Sequence, residues 1–365
     1  MLVTHVVGAR PNFMKAAPVL AALDARAVSQ RLVHTGQHYD ANMSEVFFDE
    51  LGLPRPDVNL GVGSASHAHQ TAQMMVALEG EFAAHRPDLL LVYGDINSTL
   101  AASLVAAKAG IPVGHVEAGL RSRDRAMPEE VNRLVTDRLA TLHFTPSVDG
   151  NEHLAREGAD PGGVHLVGNV MIDTLVRLRA LAAQRWPTLS DRLGVPAGGY
   201  ALVTLHRPRT VDVARTLVRV LEALAEIATR VPVVFPVHPR TRARLADAAF
   251  DVPEALRLID PVGYLDFLAL QDHARLVVTD SGGVQEETTF LGVPCFTVRP
   301  NTERPVTIEV GTNELVGFDM ERLVAGVDAV LAGEGKRGAV PPLWDGRAGE
   351  RIADVVVSWL DEARA

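Results

Sequence analysis

The sequence predicts an α/β protein built from two Rossmann-like domains with parallel sheets, and three observations carry that expectation. Short apolar β-type runs alternate with helix-like stretches along the whole chain. The strand-like runs are continuously apolar rather than alternating, the pattern of sheets covered on both faces. At 365 residues the chain also exceeds what one typical core organises, so two sets of elements mean two domains.

Taken in order, the first set of strands reads THVVGA, RLVHTG, LLLVYGD, VGHVEAG, LHFTPS and VHLVGN. Helical stretches lie between them; STLAASLVAAKAG, for example, is closed by Gly110 and Pro112, two residues that end helices. The second set reads YALVTLH, VVFPVH, LRLID, RLVVTD and PCFTVR. The boundary is expected near GNVMIDTL (168–175), giving a first domain over 1–170 and a second over 171–345. The tail GRAGERIADVVVSWLDEARA patterns as an amphipathic helix over 346–365, expected to pack back on the first domain.

Composition removes several function classes. A net charge of −10 argues against nucleic acid as a partner, since that binding needs a basic face. No apolar run approaches the roughly 20 residues that span a bilayer, and the first residues lack a secretory leader's pattern, so a cytoplasmic protein is expected. The single cysteine, Cys295, lies in the apolar segment VPCFTV and reads as a core thiol. The histidines are dispersed and the chain has no cysteine pair, so no metal is expected. G-x-S-x-G is absent, which argues against a serine nucleophile elbow. The strand–turn–helix start GARPNFMKAAP (8–18) lacks the G-x-G-x-x-G spacing of a dinucleotide fingerprint, so no dinucleotide cofactor is expected.

Ligands of parallel α/β sheets sit beyond the carboxyl ends of the strands, so the residues there carry the functional reading. They are Arg10, Gln37 and His38, Asp95, Glu117, His206 and Arg207, His238, and Ser281. So many polar strand ends across two domains imply a cleft. TDSGGVQEE (279–287) opens a helix after a strand; its glycines let backbone approach a ligand, and free helix-start amides attract an anion. It reads as a diphosphate cradle of Ser281, Gly282 and Gly283, with Glu287 one turn on and able to reach ribose hydroxyls; the plain reading is a tight turn. GARPNFMKAAP (8–18) is a second such start, bringing Arg10 and Lys15.

Asp95 and Glu117 end adjacent central strands, and Glu129 and Glu130 open a helix behind Pro128. Carboxylates crowded at a sheet edge lose hydration and repel, which suits acid–base work. The alternatives are structural ion pairs for Asp95 and Glu117 and, for Glu129, helix-start placement with an i,i+4 pair to Arg133. His206, Arg207 and His238 follow strands of the second domain, where a histidine can hold or protonate a leaving phosphate or simply cap a helix. Arg304 is a further candidate anion clamp.

Together, GARPNFMKAAP, TGQHYD, VYGDINSTLAA, HVEAGLRS, MPEEVNR, VGNVMIDTL, TLHRP, TDSGGVQEE and TERPVTIEVGT resemble the non-hydrolysing bacterial UDP-N-acetylglucosamine 2-epimerases, in order and over nearly the whole chain. The resemblance implies a glycosyltransferase-B architecture with the site in the interdomain cleft, no cofactor, UDP-N-acetylglucosamine and UDP as ligands, and a homodimer. It implies Asp95, Glu117, Glu129 and His206 as catalytic residues. It implies Arg10, Lys15, Arg207, His238, Phe267, Ser281, Gly282, Gly283, Glu287 and Arg304 as substrate contacts.

Two departures stand out. The family's H-R-R-E-N or H-R-P-E-N reads His206-Arg207-Pro208-Arg209-Thr210 here, a base in place of an acid. Gln37 and His38 fall on the family's activator motif, but Tyr39-Asp40 and SASHAHQT (64–71) depart from the remaining activator contacts, which argues against allosteric activation. Three other readings are a hydrolysing epimerase, a glycosyltransferase on the same fold, and a nucleotide-sugar sensor without catalysis.

Overall fold

The computed structural model describes residues 1–37, 48, 52, 54–247 and 250–364. Its described residues form two compact units, 1–174 with 342–365, and 175–341.

In unit 1 the chain runs through β1 (Leu2–Val7), α1 (Arg10–Asp24), β2 (Ser29–His34), β3 (Val58–Asn59), α2 (His67–Ala84), β4 (Leu89–Tyr93) and α3 (Asn97–Lys108). It continues through β5 (Val113–Val116), α4 (Pro128–Leu139), β6 (Leu142–Thr145), α5 (Val148–Arg156) and β7 (Val164–Leu166). The helix α6 (Val170–Leu193) carries the chain from unit 1 into unit 2. All seven strands are parallel, in the order β3-β2-β1-β4-β5-β6-β7. The apolar run Leu89–Tyr93 is fully buried, as the unbroken hydrophobic reading of a sheet covered on both faces requires.

Unit 2 follows as β8 (Ala201–Thr204), α7 (Pro208–Val211), α8 (Ala214–Ala228), β9 (Val233–Pro236), α9 (Pro239–Asp247), β10 (Leu256–Ile259), α10 (Tyr264–Asp272) and β11 (Leu276–Thr279). It ends with α11 (Gly282–Leu291), β12 (Cys295–Thr297), α12 (Pro305–Glu309), β13 (Asn313–Leu315) and α13 (Met320–Leu331). Its six parallel strands are ordered β10-β9-β8-β11-β12-β13. This is the doubly wound arrangement, and its order reverses between β8 and β11, where such folds bind ligands. Cys295 is a buried thiol in β12, pushed up to about 12 by burial.

The last helix, α14 (Ala348–Glu362), belongs to unit 1 and packs on α1. Sequence chemistry explains the join. Pro18 inside α1 has no N–H, so the carbonyl of Met14 loses its helical donor. The Thr174 hydroxyl takes that place, donating to Met14 O at 2.6 Å. Next to it, Asp173 accepts the leading amides of α14, Ala348 N at 3.1 Å and Gly349 N at 2.7 Å. Arg26, just past α1, adds an ion pair to Asp354 and donates to Glu350 O. Among the described residues no helix is long and apolar enough to cross a membrane.

Candidate functional site

Unit 1 gathers its chemistry where β4 and β5 end. The strands are in register, Tyr93 beside Val116, so Gly94–Asp95 and Glu117 leave the sheet side by side. Gly94 has φ +62°, and a Cβ there would lie 2.6 Å from Lys15 Nζ and 3.1 Å from Glu117 Oε2, so only glycine admits those groups against the turn. Glu117 itself has φ +69°, a region a non-glycine residue enters at a cost of about 1–3 kcal/mol. Strain of that size persists where the surroundings fix it: here Glu117 N and Ala118 N both donate to Phe144 O, at 3.0 and 3.1 Å, and Lys15 holds the side chain. Lys15 and Glu117 are buried and joined in an ion pair.

Asp95 is held in the same fashion. Arg133, buried on α4, donates Nε to Asp95 Oδ2 at 3.0 Å and also pairs with Glu130. Glu130 is buried as well, and accepts from Ser122 N, Ser122 Oγ and Arg123 N, each at 2.9 Å. The expectation of crowded carboxylates therefore gives way to a different arrangement, in which Asp95 and Glu117 each have a cation of their own. The alternative offered for Glu129, an i,i+4 pair to Arg133, is not the one formed: Arg133 pairs with Asp95 and with Glu130. Glu129 lies in the first turn of α4, half-buried, and its side chain makes no hydrogen bond or ion pair among the described residues.

Beneath these groups lies a buried network absent from the sequence reading. His115 of β5 places Nε2 2.8 Å from Gly94 O and Nδ1 2.6 Å from Asp137 of α4. Asp137 also accepts from Gly119 N at 3.1 Å and pairs with Arg121 at 2.7 Å. Burial would push the Asp137 carboxyl up, but His115 and Arg121 together bring it down to about 2. The network ties α4 to the turns that carry Asp95 and Glu117. Alternating polar letters in VGHVEAG and the helix TDRLA were its only signal, and parallel-strand neighbours cannot be matched to a helix from spacing alone.

Of the remaining unit 1 candidates, Arg10 opens α1 but its side chain, like His38, Tyr39 and Asp40, lies outside the described residues. Gln37 is buried, its Oε1 accepting from Ser98 N at 3.2 Å and Ser98 Oγ at 2.8 Å.

Unit 2 places its groups at the reversal between β8 and β11. His206 and Arg207 follow β8; Asp280 and Ser281 follow β11. Asp280 is fully buried and was not singled out from the sequence, although it ends the strand RLVVTD. Its carboxylate accepts His206 N at 3.1 Å and Arg207 N at 2.9 Å, and lies 3.0 Å from His206 Nδ1. Arg207 Nε donates to the Asp280 carbonyl at 3.0 Å. Burial pushes the Asp280 carboxyl up, yet the His206 contact and the two amides hold it below the ordinary carboxylate range.

Ser281 precedes α11, whose leading amides at Gly282 and Gly283 have no intrahelical acceptor. A Cβ on Gly282 would lie 2.5 Å from Arg304 Nη1 and 2.8 Å from Glu303 Oε1, so the glycine admits an arginine against the helix start. Arg304 is buried between Glu286, 2.8 Å away, and Glu303, which also holds Arg299 at 2.7 Å. Thr302 Oγ1 fixes the loop by accepting Arg304 N at 3.1 Å and donating to Gln285 at 2.7 Å. Glu287 is buried and accepts the Tyr264 hydroxyl at 2.9 Å. Phe267 is half-buried on α10. His238 is exposed before α9, and its backbone carbonyl accepts Arg242 N at 2.9 Å. Arg209 is exposed on the short helix α7. Among the described residues no group of His, Cys, Asp and Glu converges as a metal site.

Comparison with known proteins agrees with this architecture. Residues 21–357 match the family model described as UDP-N-acetylglucosamine 2-epimerase. A UDP-N-acetylglucosamine 2-epimerase of Methanocaldococcus jannaschii is 41% identical over 98% of this chain and 99% of its own. A UDP-2,3-diacetamido-2,3-dideoxy-D-glucuronate 2-epimerase of Pseudomonas aeruginosa is also 41% identical, over 89% of this chain and 90% of its own. The crystal structure of the Methanocaldococcus jannaschii UDP-GlcNAc 2-epimerase in complex with UDP-GlcNAc and UDP matches at a TM-score of 0.90 and 40% identity, covering 98% of this chain and 100% of that one. The strand order, the motifs and these likenesses agree: the chain belongs to the UDP-N-acetylglucosamine 2-epimerase family.

Proposed function

We propose that this protein interconverts UDP-N-acetylglucosamine and UDP-N-acetylmannosamine without hydrolysis, by eliminating UDP and adding it back. The observation that carries this reading is the pair of carboxylates, Asp95 and Glu117, at neighbouring strand ends, each fixed by its own cation. The hydrogen on carbon 2 of the sugar is too weakly acidic for direct removal by a carboxylate. Breaking the bond from carbon 1 to the phosphate oxygen, with its electron pair leaving on UDP, builds positive character at carbon 1 and acidifies that hydrogen. A carboxylate among Asp95, Glu117 and Glu129 takes the proton, and a double bond forms between carbons 1 and 2. A proton returned to the opposite face, as UDP re-adds, inverts carbon 2.

Unit 2 serves the departing diphosphate. The leading amides of α11 with Arg207 and Arg304 stabilise its charge, and His206 hydrogen-bonds or protonates it. Arg10 and Lys15 are first-domain contacts to the same substrate in this reading, and Glu287, His238 and Phe267 contact the nucleoside. Lys15 holds the Glu117 carboxyl in a buried ion pair at the end of its strand.

Incubation with UDP-N-acetylglucosamine in heavy water tests the scheme. Deuterium should enter carbon 2 of both epimers, with both remaining linked to UDP. Accumulation of free N-acetylmannosamine would assign the hydrolysing reaction instead, and absence of label would remove proton chemistry altogether. The equally similar Pseudomonas aeruginosa relative justifies a parallel incubation with the diacetamido-glucuronate sugar nucleotide. Faster label uptake there would reassign the substrate.

A further inference from the structure

We propose that Asp280 is a positioning residue that acts through His206, locking its imidazole with the proton on Nδ1 and leaving Nε2 to face the departing phosphate. This rests on the role given to His206 above. The two residues end β8 and β11, neighbouring strands at the reversal of the unit 2 sheet. Asp280 is fully buried, while the His206 side chain is 55% exposed, so the pair has one anchored end and one end turned to solvent. The geometry leaves the carboxylate little freedom. Oδ2 accepts both His206 N at 3.1 Å and Arg207 N at 2.9 Å; Oδ1 accepts His206 N at 3.1 Å and faces Nδ1 at 3.0 Å. An ionised carboxylate only accepts, so the Nδ1 it faces carries the proton. The His206 contact and the amides keep Asp280 in that ionised form despite its burial. Once the imidazole gains a second proton, the same carboxylate faces an imidazolium, the charge balance a histidine that shuttles a proton needs. Because the Asp280 carbonyl also accepts Arg207 Nε at 3.0 Å, one residue orients both side chains directed at the leaving group.

A purely structural role, capping the amides of 206 and 207, is distinguishable. In Asp280→Asn the amide oxygen belongs at the Oδ2 position, where two backbone amides converge. That sets the new NH2 against Nδ1, which must then accept, and the His206 proton moves to Nε2. Nitrogen-15 NMR of the UDP-bound full chain should show the Nδ1–H form in the wild type and the Nε2–H form in D280N. The kcat for epimerisation should fall by about 10²-fold, the size of a general acid–base contribution, with UDP affinity changed less than about threefold. In a His206→Asn background, Asp280→Asn should cost almost nothing further, because residues that act as one unit are non-additive. An Nε2–H imidazole in the wild type overturns the proposal whatever the variant does, and so does an undiminished loss in the H206N background. The NMR readout requires only UDP binding, so failure of the wild type to exchange carbon 2 hydrogen would refute the epimerase reading separately.

Discussion

Replacing Arg133 by methionine and, separately, Glu130 by glutamine asks whether the ion pairs of α4 hold Asp95 or hold the fold. The Arg133 and Glu130 side chains are each 2% exposed, whereas that of Asp95 is 24% exposed. Breaking a buried pair by removing one partner typically costs about 3–5 kcal/mol. In Arg133→Met, Glu130 keeps Ser122 N, Ser122 Oγ and Arg123 N as donors, and Asp95 is only partly buried. The loss should therefore fall below that range, at about 2–3 kcal/mol. In Glu130→Gln no orientation of the amide works. One of its positions is a donor, facing either the Arg123 amide or the Ser122 and Arg133 donors, and Arg133 loses its buried anion. That variant should lose about 3–5 kcal/mol, at least about 1 kcal/mol more than Arg133→Met. Turnover should rank the other way, with Arg133→Met losing about tenfold in kcat because Asp95 loses the guanidinium that orients it, and Glu130→Gln less because the Asp95–Arg133 pair survives. Urea titration gives the stabilities, with the buried Trp344, whose indole N–H donates to Pro146 O at 2.8 Å, as a fluorescence reporter in unit 1. Arg133→Met proving the less stable variant, or Glu130→Gln the slower enzyme, would refute the reasoning.

Further outcomes follow from the same geometry. Replacing Asp95 by asparagine or Glu117 by glutamine should lower kcat by about 10²-fold or more while changing KM little; retained turnover would remove that residue from the proton chemistry. Gly282→Ala drives a Cβ into Arg304 and Glu303 at the start of α11, and should weaken UDP binding by about tenfold, read by calorimetry, with little loss of thermal stability. Asp173 is pushed up to about 6, chiefly by burial, which outweighs the amides of Gly349 and Ala348. Because its folded pKa is raised, its proton is bound more tightly in the native state. The associated stability is present below the unfolded value near 3.8 and lost as pH rises through about 6, a span of about 2–3 kcal/mol. The Tm of Asp173→Asn relative to the wild type should therefore rise from pH 4 to pH 7, and a flat difference in scanning calorimetry would contradict this.

The contrast between what could be read and what could not is plainest in unit 1. LLLVYGD and VGHVEAG announce two buried parallel strands and place Asp95 and Glu117 at their ends, because an unbroken apolar run has few other folded uses. The same letters do not announce Lys15 as the partner of Glu117, 102 positions earlier, or Arg133 as the partner of Asp95, 38 positions later. Helix spacing offers Arg133 both Glu129, at i,i+4, and Glu130, at i,i+3, and cannot choose between them; the structure pairs it with Glu130. The backbone conformation of Glu117 was equally hidden, because a positive φ is betrayed in sequence only when the residue is glycine, as at Gly94.

Unit 2 repeats the lesson. TDSGGVQEE declares a strand, a turn and a helix start from its glycines and apolar letters, and TLHRP declares a histidine at a strand end. The alternation of strand and helix thus determined the fold class, and the polar residues at strand ends determined where chemistry is possible. Only the tertiary structure decided which charges meet: Asp280 with His206, Arg304 with Glu286 and Glu303, His115 with Asp137. Periodicity and turn chemistry act between residues a few positions apart and are written in the local sequence. A buried ion pair depends on strand order and helix placement, which bring distant residues within a few ångströms only after the whole sheet has formed.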